Sequence, residues 1–214
     1  YQPAISFHPG TQCDDASAWE RYIETSAVIA ERAGVTLKRL NVGGGFASHR
    51  SGDAPDLEHV FAVIKRTVAR VFAGDVPALI CEAGRAMVAE CFPLGTRVKA
   101  LRGDGSVFLN DGIYGGFMEQ LLSKVELPTR VFHGSQVLSG ATDDFTVFGP
   151  TCDSLDVFSY EVPLPKDIGE GDWIEFGEMG GYGSCSATTF NGYSTGDYVY
   201  VDAGFPRSVS GIAT

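Results

Sequence analysis

Two rhythms of apolar and polar positions divide the chain. Up to about residue 85, short apolar runs alternate with longer amphipathic stretches. "AISFH" reads as a strand. "DDASAWERYIETSAVIAERAG" reads as a helix, because Trp19, Tyr22, Ile23, Ala27, Ala30 and Ala33 return at helical spacing. Asp14 or Asp15 supplies its N-cap and Gly34 its stop. "TLKRLNV" is a second strand, "LEHVFAVIKRTVARVF" a second helix with Leu57, Val60, Phe61, Ile64, Val68 and Val71 on one face, and "PALICE" a third strand. Such alternation predicts right-handed crossovers and a parallel sheet. From about residue 86 the rhythm shortens. "TRVKALRGDGSVFLND" predicts a hairpin around Asp104-Gly105, and "RVFHGSQV", "DFTVF", "DWIEF" and "DYVYV" predict further strands. This part is expected to be an antiparallel β domain.

Each strand of the first part ends in residues suited to binding. The first ends at His8, before Pro9-Gly10-Thr11; the second in "NVGGGF", Gly43 to Gly45; the third in "CEAGR", with Glu82, Gly84 and Arg85. Ligands of parallel α/β folds lie at the carboxyl ends of strands. Glycines let backbone N–H groups approach a phosphate, and arginine adds charge-assisted bonds to the same oxygens. The combination predicts a phosphate-bearing ligand, although a triple glycine also serves as a plain turn and Glu82 could simply pair with Arg85. In the second part, "FGPTCDSLDVF" sets Cys152 against Asp153, a soft nucleophile beside a carboxylate. An ordinary loop cysteine and a working thiol both fit that placement.

Composition narrows the partners. The 214 residues are 44% hydrophobic and carry a formal net charge of −11. No basic stripe exists to neutralise phosphates, which disfavours nucleic acid and anionic membranes. No apolar run of about 18 residues offers a membrane span, and the start does not read as a signal peptide. The five cysteines, Cys13, Cys81, Cys91, Cys152 and Cys185, form no CxxC or CxxH pair, so no metal site is expected. Their odd number points to reduced thiols and the cytoplasm.

"SFHPGTQC", "LNVGGGF", "CEAGR", "NDGIYGGF", "GPTCDSLD" and "GDWIEFGEMGGYGSCSATTFNGY" follow one another as they do in ornithine decarboxylases. The sequence resembles this family of ornithine and lysine decarboxylases, fold-type III pyridoxal-phosphate enzymes, over nearly its whole length. The resemblance implies the last strands and helices of an alanine-racemase-like β/α barrel over residues 1–91 and an antiparallel β-barrel or sandwich domain over 92–214. It implies pyridoxal 5′-phosphate as cofactor, with His8 stacked on the pyridine ring and Glu82 facing the ring nitrogen. Thr11, Gly43, Gly44, Gly45, Gly84, Arg85 and Tyr182 would hold the phosphate. Asp153 would bind the distal ammonium of a diamino acid, with Phe190 lining the substrate side. Cys152 would return the proton to the α-carbon after decarboxylation, in a site completed across a homodimer. Tyr114 is a site or interface residue or an ordinary packed aromatic.

The departures shape the expectation. The family attaches its cofactor through a lysine near the start of the barrel, and none of Lys38, Lys65, Lys99, Lys124 and Lys166 lies in a matching motif. Three barrel strands are legible where eight are needed. The chain is therefore expected to be a carboxyl-terminal portion, inactive alone. Ala83 stands where the family usually has Pro, and Ser123 falls near the family's second acid for the distal amine, leaving ornithine against lysine open. The resemblance thus implies decarboxylation to a diamine in polyamine (putrescine) biosynthesis. The alternatives are an inactive decarboxylase-like decoy and an amino-acid racemase, for which Cys152 stands where a tyrosine acid/base would be wanted.

Overall fold

The computed structural model describes residues 2–49, 56–123, 126–194, 196–201 and 206–209. The chain forms two units. The first holds Tyr1–Leu94 with Val125–Thr129 and Phe176–Gly181; the second holds Gly95–Lys124, Arg130–Glu175 and Tyr182–Thr214.

In the first unit, β1 (Ala4–Ser6), β2 (Arg39–Asn41) and β3 (Ala78–Ile80) form a parallel sheet in that order, linked by helices α1 (Ala16–Ala33) and α2 (Leu57–Val71). A short helix α3 (Gly84–Val88) follows. Asp15 caps α1 by accepting from Ser17 N, and Gly34 closes it in the left-handed conformation. Asp56 caps α2 by accepting from His59 N at 2.8 Å. Trp19, Ile23, Leu40, Val42, Phe46, Val60, Val63, Ile64 and Val68 form the core between helices and sheet. The predicted face of α1 needs adjustment: Tyr22 and Ala33 are exposed, and Ser26 is buried in their stead. Ser26 tolerates burial because its hydroxyl donates to Tyr22 O at 2.8 Å within the helix. Tyr22 instead stacks on Phe7, with ring centroids 5.2 Å apart.

In the second unit a seven-stranded sheet has the order β7-β6-β10-β4-β5-β8-β9. Its strands are β4 (Leu94–Leu101), β5 (Ser106–Leu109), β6 (Thr129–His133), β7 (Gln136–Val137), β8 (Thr142–Phe148), β9 (Val162–Pro165) and β10 (Trp173–Phe176), with helix α4 (Gln120–Ser123) between β5 and β6. The expected antiparallel pairing occurs at β4/β5, β6/β7 and β8/β9, while β5 and β8 run parallel, so the sheet is mixed. The β4–β5 hairpin turns at Gly105, whose φ of 82° suits glycine. β11 (Tyr198–Val201) and β12 (Pro206–Val209) form a separate antiparallel pair. Among the described residues no helix is long and apolar enough to cross a membrane.

Candidate functional site

The first unit gathers one set of candidate residues at the carboxyl ends of its strands. Backbone bonds lace those ends together: Phe7 N donates to Asn41 O, Val42 N to Ile80 O, Glu82 N to Gly43 O and Cys13 N to Gly45 O. The loops approach so closely that a Cβ on Gly45 would lie 2.3 Å from Gly10 O, and one on Gly44 2.8 Å from Glu82 O and 3.2 Å from His8 Nε2. Only glycine fits there, and the His8 ring edge lies along this bare backbone. His8 Nδ1 accepts from Gly10 N at 3.1 Å, which fixes the ring through that nitrogen and turns Nε2 toward Gly44.

Glu82 is exposed, and its Oε1 accepts from Asn41 Nδ2 at 3.1 Å. Asn41 also accepts from Gly43 N at 2.9 Å, tying the glycine loop to that carboxylate. Arg85 is buried in α3, with Nη2 3.5 Å from Thr11 Oγ1. Gln12 joins the His8 loop to the loop after the glycines, accepting from Ser48 N at 2.9 Å and donating to Ser48 O at 3.1 Å. Asn41, Gln12 and Ser48 are absent from the sequence-based set. Asn41 reaches Glu82 and Gln12 reaches Ser48, partners 41 and 36 residues away that only the folded sheet brings near.

The second unit gathers the other set. Tyr114 Oη donates to Asp153 Oδ2 at 2.6 Å, and the Tyr114 and Phe190 ring centroids are 4.5 Å apart. Asn191 Nδ2 donates to Cys152 Sγ at 3.3 Å. Because Cys152 and Asp153 are neighbours, as are Phe190 and Asn191, these five residues close a ring of contacts. The Tyr114 hydroxyl holds the Asp153 carboxyl below the usual carboxylate range, helped by Leu155 N. The same bond pushes the Tyr114 phenol above its ordinary value. Tyr114 thus combines a ring contact with Phe190 and a hydrogen bond to Asp153.

Asp156 fixes the frame beneath this ring. It is buried; one carboxylate oxygen accepts from Ile113 N at 2.8 Å, the other from Thr151 N at 3.0 Å and Thr151 Oγ1 at 2.7 Å. The segment carrying Tyr114 is thereby joined to the segment carrying Cys152 and Asp153. Tyr182 also belongs to the second unit, exposed and with φ of 62°. His8, Thr11, Gly43 to Gly45, Glu82, Gly84 and Arg85 thus lie in one unit, and Tyr114, Cys152, Asp153, Tyr182 and Phe190 in the other.

Known proteins resemble this chain in both sequence and fold. The family model described as pyridoxal-dependent decarboxylase, C-terminal sheet domain, matches residues 22–180. Ornithine decarboxylase of Neurospora crassa is 29% identical, over 92% of this chain and 48% of the relative. Antizyme inhibitor 2 of Xenopus laevis is 30% identical, over 88% of this chain and 45% of the relative. The crystal structure of lysine/ornithine decarboxylase from Vibrio vulnificus complexed with cadaverine superposes with a TM-score of 0.73 at 27% identity, covering 89% of this chain and 52% of that one. The chain spans about half the length of these proteins.

Proposed function

Because this chain belongs to the pyridoxal-dependent decarboxylases and matches their C-terminal sheet domain, we propose that it takes part in decarboxylating a basic diamino acid, ornithine or lysine, to a diamine. The observation that carries this reading is the ring formed by Tyr114, Asp153, Cys152, Asn191 and Phe190. It presents a thiol and a carboxylate side by side on a framed loop. A carboxylate held ionised by a phenol suits the distal ammonium of a diamino acid. A thiol suits proton return to carbon near neutral pH.

Pyridoxal phosphate is the family's cofactor, and the donor set of the first unit supports a place for it. The carboxylate of Glu82 suits a protonated pyridine nitrogen, and the His8 ring, its edge set against Gly44 and Gly45, suits stacking on a flat ring. The guanidinium of Arg85 and the hydroxyl of Thr11 suit a phosphate. We assign Gly43, Gly84 and Tyr182 to the phosphate as well. When bound, the cofactor supplies a sink for the electron pair released as CO2 departs. Glu82 would keep the ring nitrogen protonated, with Asn41 orienting its carboxylate. Cys152 would deliver the proton to the α-carbon, Asp153 would anchor the far amine, and Phe190 would line the substrate side.

Residues 1–91 are assigned to the cofactor-binding barrel and 92–214 to the sheet domain. A homodimer with shared sites, a cytoplasmic setting and a role in polyamine (putrescine) supply belong to the same proposal. The five free thiols accord with that setting. One specific observation favours a second reading, an inactive regulatory relative: antizyme inhibitor 2, at 30% identity, is as similar to this chain as the ornithine decarboxylase at 29%. The two readings separate by assay. Amine formed from ornithine or lysine by this chain together with an amino-terminal decarboxylase barrel and pyridoxal phosphate, lowered by Cys152→Ala, supports the first. No amine from that assembly, with binding to an intact decarboxylase subunit retained, supports the second.

A further inference from the structure

Asn191 sits inside the short turn Phe190–Gly192 with φ of 55°, in the left-handed region. Asparagine takes that region at lower cost than most residues. The turn is anchored on one side by Thr188, whose N and Oγ1 both donate to Tyr114 O, at 2.8 and 2.7 Å. Phe190 N in turn donates to Thr188 Oγ1 at 3.2 Å. The Asn191 side chain is therefore delivered to a set place, with Nδ2 3.3 Å from Cys152 Sγ. An amide nitrogen only donates, so the sulfur is the acceptor in this contact and its own S–H points elsewhere.

We propose that Asn191 is a positioning residue for Cys152: it holds the sulfur through a lone pair, turns the S–H away from the Phe190–Gly192 turn, and stabilises the negative charge that sulfur acquires on giving up its proton. This rests on the decarboxylase reading above. In the step concerned the S–H bond breaks and its electron pair stays on sulfur. The proton joins the pair left on the substrate α-carbon by departing CO2, forming a C–H bond. Solvent then restores the proton to sulfur. An N–H aimed at the site where charge develops is the arrangement that lowers such a barrier.

Two variants test this without relying on turnover. Asn191→Gly removes the amide while keeping a residue at ease at positive φ. Asn191→Asp keeps the shape but offers no N–H. The purified chain is alkylated with iodoacetamide at neutral pH and each cysteine is followed by mass spectrometry, with Cys81 and Cys91 of the other unit as internal standards. Both variants should slow alkylation of Cys152 about fivefold, the size of one ordinary hydrogen bond, and leave the standards unchanged. Unchanged alkylation of Cys152 in both overturns the proposal. So does slowing in Asn191→Gly alone, because an aspartate that preserves the effect shows that an oxygen accepting from the thiol, not a donor, holds it.

A second readout uses this chain together with an amino-terminal decarboxylase barrel and pyridoxal phosphate, in deuterated water. The parent should place deuterium on one face of the product's α-carbon. Asn191→Gly should place it on both, with KM changed less than about twofold, since the amine-binding carboxylate is untouched. Single-face labelling in Asn191→Gly overturns the aiming role. If the parent releases no CO2, the decarboxylase reading fails, and alkylation alone still decides whether Asn191 holds the sulfur.

Discussion

Replacing Asp156 with asparagine should loosen the loop that carries Cys152 and Asp153. The Asp156 side chain is 2% exposed and accepts from Ile113 N, Thr151 N and Thr151 Oγ1. An asparagine there has one accepting oxygen and one donating nitrogen. Whichever way it turns, one of the two backbone N–H groups meets another N–H. A buried N–H left without an acceptor costs roughly 1–3 kcal/mol. At about 2 kcal/mol, exchange of that amide should accelerate about 30-fold if it opens locally. Little room exists for relaxation, since a Cβ on Gly112 or Gly149 would lie 2.2 or 2.1 Å from Asp156 Oδ1. Gly149→Ala should therefore displace the same carboxylate, and combining it with Asp156→Asn should cost less than the sum of the two. Hydrogen exchange resolved to the amides of Ile113 and Thr151, in the parent and the three variants, reads both effects. Unchanged exchange at both amides in Asp156→Asn, or strict additivity with Gly149→Ala, would refute the view that Asp156 joins these segments.

Other expectations bear on the proposed chemistry. Cys152→Ala should leave cofactor binding nearly intact but slow amine formation about 10²–10⁴-fold, the usual loss for one general acid. Part of the substrate should then leave as an aldehyde, with the cofactor recovered as pyridoxamine phosphate; a clean diamine at the parent rate would make Cys152 a structural thiol. Asp153→Ala should raise KM for ornithine or lysine by loss of the distal ammonium's partner, and an unchanged KM would remove Asp153 from substrate binding. The Tyr114–Asp153 bond should be insensitive to pH across the neutral range. Asp153 is depressed, so its contribution is complete above the ordinary carboxylate value of about 3.9 and is lost as pH falls through its lower folded value. Tyr114 is raised, so at the alkaline end the contribution is complete below about 10 and is lost as pH rises through its higher folded value. An ultraviolet titration should show one late-ionising phenol that moves earlier in Asp153→Asn; a parent titration without it would contradict the bond. The 214-residue chain alone, given pyridoxal phosphate, should release no amine, because none of its lysines lies in a cofactor-binding motif. Amine release by that chain would refute this.

What was legible in the sequence depended on how local the signal was. Both long helices announced themselves through apolar spacing, α1 through its caps as well, and the three strand ends bearing His8, Gly44 and Glu82 do meet. β9 was hidden because Pro163 and Pro165 interrupt "VPLP". Proline gives no N–H to a ladder, yet β9 lies at the edge of the sheet, where one side needs no donors. The parallel β5/β8 pair could not be read from turn signals, since its strands are separated by two others in the chain. Asp156 reads as one more acid in "CDSLD"; its importance comes from Ile113, 43 residues away. Asn191 had a faint signal, because Asn-Gly marks a turn that favours positive φ, but nothing local tells that its amide reaches Cys152.

The most direct test of the account is release of labelled CO2 from carboxyl-labelled ornithine and lysine. The chain is supplied with pyridoxal phosphate and an amino-terminal decarboxylase barrel that brings the cofactor-binding lysine. CO2 and the matching diamine should form in equal amounts from at least one of the two substrates. Cys152→Ala should reduce the diamine, and Asp153→Ala should demand more substrate. No CO2 from either substrate, in a complex shown to have taken up the cofactor, would contradict it.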